Sequence, residues 1–144
     1  MSVQRTINDI KVLVEPDVIF DSDIETGFVE LKNYKYVDFL VCSGVGTAAN
    51  TTVTINAQAG VSGSLEAVAF TKKVGNSFVP VEATGDTLSI GGLAGSCGKA
   101  IYRVDADSLA KGGFDRVSLC TTAVASSTVP GAIIVCKYEP RYTE

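Results

Sequence analysis

Histidine and tryptophan are both absent from the 144 residues, and methionine occurs once. Histidine is a frequent general base and metal ligand, so its absence removes the usual centre of a catalytic or zinc-binding group of residues. The cysteines are widely spaced, without the C-x-x-C pattern of zinc sites and redox pairs. They are Cys42, Cys97, Cys120 and Cys136. We therefore expect reduced thiols, no cofactor and no enzymatic activity.

Clusters of basic residues and long apolar runs are also lacking. The 12 lysines and arginines are scattered, and the formal net charge is -4. Nucleic-acid binding depends on neutralising phosphates with a basic surface, so we expect no nucleic-acid partner. No apolar stretch approaches the ~20 residues of a membrane span, and the first ten residues do not resemble a signal peptide. We expect a soluble intracellular protein, with no membrane partner.

The most informative stretch is residues 36–57, which predicts two strands joined by a glycine-containing connection. In residues 51–57, Val53, Ile55 and Ala57 share one face of a strand, while threonines and an asparagine occupy the other. Side chains alternate between the faces of a strand, so this pattern predicts a sheet with one buried and one wet face. With 14 glycines in the chain, the composition also favours strands and turns.

Similar strand patterns recur along the chain at intervals typical of a β-sandwich. The predicted strands are 10–14, 27–31, 36–42, 51–57, 65–71, 78–81, 87–90, 100–104, 114–121 and 132–138. Pro16 is expected to end the first, since proline cannot donate to a strand ladder. Asp105 as an N-cap and Gly112 as a stop predict one short helical turn. The prediction is an all-β, antiparallel β-sandwich: a polar N-terminal arm (1–9) followed by a single domain (10–144).

Two motifs suggest ligands but lack an essential part. Gly44, Gly46 and Ala49 match a dinucleotide fingerprint, yet a strand pattern follows where the motif needs a helix. Asp21, Asp23 and Glu25 match the first positions of a calcium loop, but position twelve is a lysine and its glycine is one residue late. We interpret the second motif as a solvated acidic turn.

Paired carboxylates are the remaining argument for an enzyme, because glycoside hydrolases use two such groups. The candidate pairs are Asp105 with Asp107 and Asp21 with Asp23. Capping and turn formation explain these residues more simply, so we expect them to be structural.

Four short segments carry a resemblance to a known family. They are residues 52–57 (Thr-Val-Thr-Ile-Asn-Ala), 105–109 (Asp-Ala-Asp-Ser-Leu), 113–117 (Gly-Phe-Asp-Arg-Val) and 140–142 (Pro-Arg-Tyr). Together they resemble small capsid decoration, or cement, proteins of tailed bacteriophages and prophages. The resemblance implies a jelly-roll-like sandwich that sits on the mature head as an oligomer and bridges major capsid subunits. It implies no catalytic residue.

The expected function is therefore that of a virion structural protein on the capsid surface, acting as a homo-oligomer, either trimer or dimer. Polar segments outside the predicted core are the candidate capsid contacts: Ser2, Val3, Gln4, Arg5 and Thr6 of the arm, and Asp21, Asp23 and Glu25 of the acidic turn. The alternative is a phage tail or fibre module, or a carbohydrate-binding sandwich, which exposed aromatic rings in a shallow row would favour. Residues 140–142 are expected to form a packed terminus.

Overall fold

The computed structural model describes residues 7–92 and 98–140. This part of the chain forms twelve strands and one helix, and every strand pairing is antiparallel. The elements are β1 (Ile7–Val18), β2 (Ile24–Glu25), β3 (Val29–Glu30), β4 (Tyr34–Ser43), β5 (Gly46–Gln58), β6 (Glu66–Val68), β7 (Phe70–Val74), β8 (Ser77–Val81), β9 (Asp86–Gly92), β10 (Gly98–Asp105), α1 (Ala106–Lys111), β11 (Arg116–Thr121) and β12 (Pro130–Pro140).

Two sheets pack face to face, which confirms the predicted all-β sandwich. The first sheet has the order β1-β12-β4-β10-β7-β8. The second has the order β2-β11-β5-β6, with β3 also on β11 and β9 also on β5. The pairs β1–β12, β2–β11, β4–β10 and β5–β9 join the first half of the chain to the second as nested hairpins. Pairing of β12 with β4 and of β11 with β5 then connects these pairs within each sheet.

The core lies between the sheets, and the predicted alternation supplies it. Val53, Ile55 and Ala57 of β5 are fully buried, as is Phe39 of β4 on the facing sheet. Burial of such side chains contributes ~25 cal/mol for each Å² of apolar surface removed from water. Gly131 in β12 is part of this packing, because a side chain there would collide with the ring of Phe20.

The first strand is longer than predicted at both ends. Ile7 and Asp9 pair with Tyr138 and Lys137, so β1 includes residues 7–9, and residues 1–6 of the predicted arm lie outside the described part. Pro16 does not end the strand either. Proline is tolerated on an edge strand, and β1 is the edge of the first sheet, with a register shift between Val14 and Asp17.

The predicted strand 65–71 is two strands in different sheets. β6 pairs with β5 in the second sheet, whereas β7 pairs with β10 in the first, so the chain crosses between the sheets at Ala69. The apolar residues 67–70 give no signal of such a crossing, because Val68 and Phe70 on its two sides pack against the same core. β5 also begins earlier than predicted, at Gly46, and the dinucleotide motif is therefore followed by strand and not helix.

The predicted helical turn is present as α1. The Asp105 carboxylate accepts hydrogen bonds from the backbone N–H groups of Asp107 and Ser108, at 2.9 and 3.4 Å. Gly113 follows the helix with a φ of 89°, and the Phe114 N–H donates to the Leu109 carbonyl at 3.0 Å. Asp105 thus acts as a helix cap, as the sequence indicated.

Two further predictions are tested only in part. β12 extends to Pro140, which pairs with Tyr34, whereas Arg141 and Tyr142 lie outside the described residues. Cys42, Cys120 and Cys136 are thiols in the structure, and Cys97 lies outside the described residues. The one helix of the described residues, α1, has six residues and is too short to cross a membrane.

Candidate interaction surface

The predicted capsid contacts fall into two separated groups. Ser2, Val3, Gln4, Arg5 and Thr6 lie outside the described residues. The arm joins the domain at Ile7, the start of β1, whereas the acidic turn follows Val18 at its end. Twelve residues of strand span roughly 36 Å, so the two groups leave opposite ends of the edge strand.

The acidic turn is exposed and held by the backbone. Asp21 and Asp23 are exposed, and Glu25 is exposed on β2, opposite Cys120. The Asp23 carboxylate accepts a hydrogen bond of 2.7 Å from the Ala123 N–H. No group of three or more acidic, cysteine or histidine side chains is placed to hold a metal ion within residues 7–92 and 98–140. Asp21, Asp23 and Glu25 therefore do not come together as a metal-binding group, and Asp23 stabilises the turn through its hydrogen bond to Ala123.

The outer face of the first sheet carries an aliphatic row that the sequence analysis did not identify. Strand register places Val12, Ile134, Leu40 and Ile101 side by side on four adjacent strands. Directly opposed residues of antiparallel strands lie on one face. The next row contains Phe39, which is completely buried. The aliphatic row must therefore point away from the core.

Neighbouring rows extend this row into what we call the apolar face. It comprises Ile10, Val12, Leu40, Cys42, Ile101, Ala132, Ile134 and Cys136. Ile10 is 60% exposed and Val12 49% exposed, while the members on inner strands are half-buried by their neighbours. Scattered apolar residues are normal on protein surfaces, whereas these eight side chains form one contiguous set.

One end of the apolar face is a charged pair enclosed by aromatic rings, here called the aromatic cluster. Arg103 donates two hydrogen bonds to the Asp38 carboxylate, at 2.8 and 2.9 Å. The guanidinium carbon lies 4.0 Å from the ring centroid of Phe78, 4.6 Å from that of Tyr36 and 5.7 Å from that of Tyr138. Asp38 is only 5% exposed. Both oxygens of the Asp38 carboxylate therefore accept a hydrogen bond from Arg103, and the carboxylate is largely removed from water.

The electrostatics of the cluster favour a fixed charge state. Burial disfavours the Arg103 cation, but the hydrogen bonds and charge of Asp38 outweigh it, and the pKa of Arg103 is raised. Burial, with the fields of Cys136 and Asp38, raises the pKa of Tyr138. Burial also raises the pKa of Cys136, helped by Asp38. Arg103 therefore stays charged and Cys136 stays a thiol near neutral pH, which makes Cys136 a poor nucleophile.

Shallow depressions flank the aromatic cluster. A cavity of about 290 Å³ is lined by Tyr36, Asp38, Lys73, Asn76, Phe78, Ile101, Arg103 and Tyr138. A second, of about 440 Å³, shares Tyr36, Phe78 and Arg103 and extends towards α1. Aromatic walls around charged groups could bind a small polar ligand, although Asp38 and Arg103 already bind each other.

The outer face of the second sheet is polar. On β5 the outward residues are Thr52, Thr54, Asn56 and Gln58, and β9 adds Thr87 and Ser89. The Asn56 amide donates to the Cys120 sulfur at 3.4 Å, and the Ser89 hydroxyl donates to the Asn50 side chain at 3.2 Å. Burial, with the charge of Glu25, raises the pKa of Cys120. Most of the outward side chains on β5 and β9 are therefore polar.

A second ion pair links the two sheets. Lys72 of β7 and Tyr102 of β10 both donate to the same Asp86 oxygen of β9, each at 2.9 Å. The Tyr102 ring is fully buried and meets Phe70 edge-on, with centroids 5.5 Å apart. Burial and the hydrogen bond to Asp86 raise the pKa of Tyr102. The arrangement satisfies a buried hydroxyl and suits a structural role.

Sequence comparison gives no relative for this chain: no family model matches it, and no curated protein matches it either. A solved structure does match, the crystal structure of the SPBc2 prophage-derived protein YomS. It has a TM-score of 0.54 at 11% identity, over 96% of this chain and 97% of that one. At this identity the likeness concerns the fold, and it extends over almost the whole of both chains.

Proposed function

We propose that the protein is a non-enzymatic structural component of a phage virion, decorating the capsid and bridging major capsid subunits. The observation that carries the proposal is the fold shared, nearly end to end, with a prophage-derived protein. The family resemblance of residues 52–57, 105–109, 113–117 and 140–142 points the same way. The protein would be made in the host cytoplasm and reside on the capsid surface, without a cofactor.

The separation of the two predicted contact groups supports a bridging role. An arm leaving Ile7 and an acidic turn following Val18 are roughly 36 Å apart along β1. A cement protein must reach two subunits at once, and contacts at opposite ends of one rigid strand provide that reach. Asp23 is fixed by its hydrogen bond to Ala123, so the turn presents the Asp21 and Glu25 charges from a defined position.

A preference for the assembled lattice follows from multivalency. Ordering an arm costs ~1–2 kcal/mol of backbone entropy per residue, which a single weak site would not offset. A homo-oligomer that engages several lattice positions gains from effective concentration, by about 10²- to 10⁴-fold. Free capsid subunits offer no such gain.

The direct test is co-sedimentation of the purified protein with mature, undecorated particles from its source, in parallel with unassembled capsid protein. We expect saturable binding to particles and at least about tenfold weaker binding to free subunits. Equal binding to both would contradict the lattice preference, and no binding to particles would reject the capsid assignment.

Variants locate the contact. Deletion of residues 2–6, and the charge-removing pair Asp21→Asn with Glu25→Gln, should each weaken particle binding. Asp23 is left intact because it fastens the turn. The matched control is Glu66→Gln with Glu82→Gln, which removes the same charge at exposed sites elsewhere. Loss of binding in the control alone would place the contact on another surface.

The aromatic cluster favours a second candidate, a carbohydrate-binding or tail-fibre module. Its rings border shallow depressions, the feature expected of a sugar-binding sandwich. Binding on a glycan array that is lost in Tyr138→Ala and kept in Glu66→Gln would support this alternative. An array without binding would leave the capsid proposal as the better account.

A further inference from the structure

We propose that the apolar face is the surface through which two copies of this chain associate, with a twofold axis lying between the two faces. The inference deepens the homo-oligomer part of the proposed function and rests on it. Its test is made in solution without particles, so its failure is distinguishable from failure of capsid binding.

The shape and chemistry of the face make it complementary to itself. The central row runs straight across four neighbouring strands, and its members are aliphatic: Val12, Ile134, Leu40 and Ile101. Sheet faces of this kind stack about 10 Å apart by interdigitating aliphatic side chains, as in the core of a sandwich. A second copy supplies such a face without any change in the fold.

Charge does not oppose the contact. The buried charges at the end of the face, Asp38 and Arg103, neutralise each other at 2.8 Å. Lys99, exposed in register with Cys42, marks the boundary where water is retained. An interface needs its charges paired or at the rim, and this face meets that requirement.

The size of the face is sufficient for a weak dimer. Four strands at about 4.8 Å and three rows at about 6.7 Å give a footprint of roughly 400 Å², and the strands of the aromatic cluster extend it to nearly 600 Å². Specific interfaces bury about 800 Å² per partner, and transient ones less than about 600 Å². We therefore expect a dissociation constant in the micromolar range.

The edges of the first sheet argue for contact through its face. β1 carries Pro16 and three register shifts, and β8 at the opposite edge carries Pro80. Proline and bulges are the devices that block edge-to-edge pairing. The edges are thus protected from pairing with another sheet, whereas no such device covers the aliphatic row within the described residues. A single self-complementary patch also predicts a dimer, since a trimer needs two different patches that fit each other.

The test is sedimentation velocity of the full chain from about 1 to 500 µM, the range in which a micromolar dimer dissociates. Val12→Lys places a charge on the face at a position 49% exposed in one copy, so the fold should tolerate it. We expect the dissociation constant to rise at least about tenfold. The matched control, Val61→Lys, changes a side chain that is 82% exposed in a loop and should leave dimerisation unchanged.

Ile10→Lys provides a second variant on the face should Val12→Lys fail to fold, with circular dichroism to establish folding. A chain that stays monomeric throughout the concentration range overturns the proposal, including the case in which another segment of the chain covers the face. A dimer weakened by Val61→Lys and not by the two face variants overturns it as well.

Native thiols report which face is covered. Cys136 lies on the apolar face and Cys120 on the polar face, and burial raises the pKa of both. In a Cys97→Ser background, alkylation of Cys136 should slow as the protein concentration rises, while that of Cys120 stays constant. Protection of Cys120 alone would place the interface on the second sheet and overturn the proposal.

Discussion

On β5 the side chains that point away from the core include Thr52, Thr54 and Asn56, whereas on β4 the outward positions include Tyr36, Leu40 and Cys42. Both strands lie inside their sheets and bury the same kind of residue on the inner side. Threonine suits a pleated surface as well as an aliphatic residue does, so the strands gain nothing in β-propensity from the aliphatic choice. The two faces therefore differ in polarity for a reason other than strand formation, which accords with the proposed dimer contact on the first sheet.

The ion pairs differ between the faces in the same way. Asp38–Arg103 on the apolar side has side chains 7% and 19% exposed, whereas Asp115, paired with Arg116 at the second sheet, has a side chain 55% exposed. Exposed pairs contribute ~0–1 kcal/mol, whereas removing one partner of a buried pair costs about 3–5 kcal/mol. Both are aspartate–arginine pairs, but removing a partner from the buried one should cost more stability than removing one from the exposed one.

The largest expected effect comes from breaking the buried pair. Asp38→Ala leaves the Arg103 guanidinium among aromatic rings without its carboxylate, and should lower the free energy of unfolding by about 3 kcal/mol. Urea denaturation measures this change. In the double variant Asp38→Leu with Arg103→Leu, most of the loss should be recovered, because no uncompensated charge remains. A single variant within about 0.5 kcal/mol of the parent, the usual range of surface changes, would show that the pair is solvated.

Next in size is the hydroxyl that links the sheets. Tyr102→Phe removes a hydrogen bond to the Asp86 carboxylate and should cost about 1.5 kcal/mol near neutral pH, while Lys72 keeps its own contact. Since the pKa of Tyr102 is raised in the folded state, its contribution is lost as the pH rises above its ordinary value of 10.0. The difference between parent and variant should therefore narrow in alkaline denaturation series. A gap that widens above this pH would contradict the argument.

A reciprocal exchange tests the two faces directly. Leu40→Thr and Thr54→Leu each change one outward side chain, so each should alter the free energy of unfolding by less than about 1 kcal/mol. Their effects on association should differ: Leu40→Thr should weaken the dimer, whereas Thr54→Leu adds an apolar side chain beside Cys120 on the polar face and should leave association unchanged. Sedimentation of both variants decides. Equal dissociation constants for the two variants would mean that the two outer faces do not differ in their contribution to association.

The sequence predicted the sandwich because alternation is a local property, visible in residues 51–57 and 114–121. Strand pairing is not local, so the crossing at Ala69 and the extension of β1 past Pro16 could not be read from it. The apolar face had a sequence signal: residues 132–136 are apolar without interruption, as in strands that are covered on both faces. The run indicates that β12 has apolar side chains on both of its faces. Only the strand register shows that the outward ones line up with apolar side chains of three neighbouring strands. The pairing of Asp38 with Arg103, 65 positions apart, had no sequence signal.

The smallest expected effect is at the exposed pair of the polar side. The Asp115 carboxylate accepts hydrogen bonds from Arg116 Nε at 3.1 Å and from the Gly60 N–H at 2.9 Å, and these lower its pKa below the ordinary value of 3.8. A lowered pKa stabilises the fold above the ordinary value, and this contribution disappears as the pH falls through the folded-state pKa. Asp115→Asn should therefore reduce the melting temperature slightly near neutral pH and not at all in strong acid. The matched control is Glu66→Gln, which removes an exposed carboxylate of β6. A drop for Asp115→Asn as large as that for Asp38→Ala would mean that burial does not separate the two ion pairs.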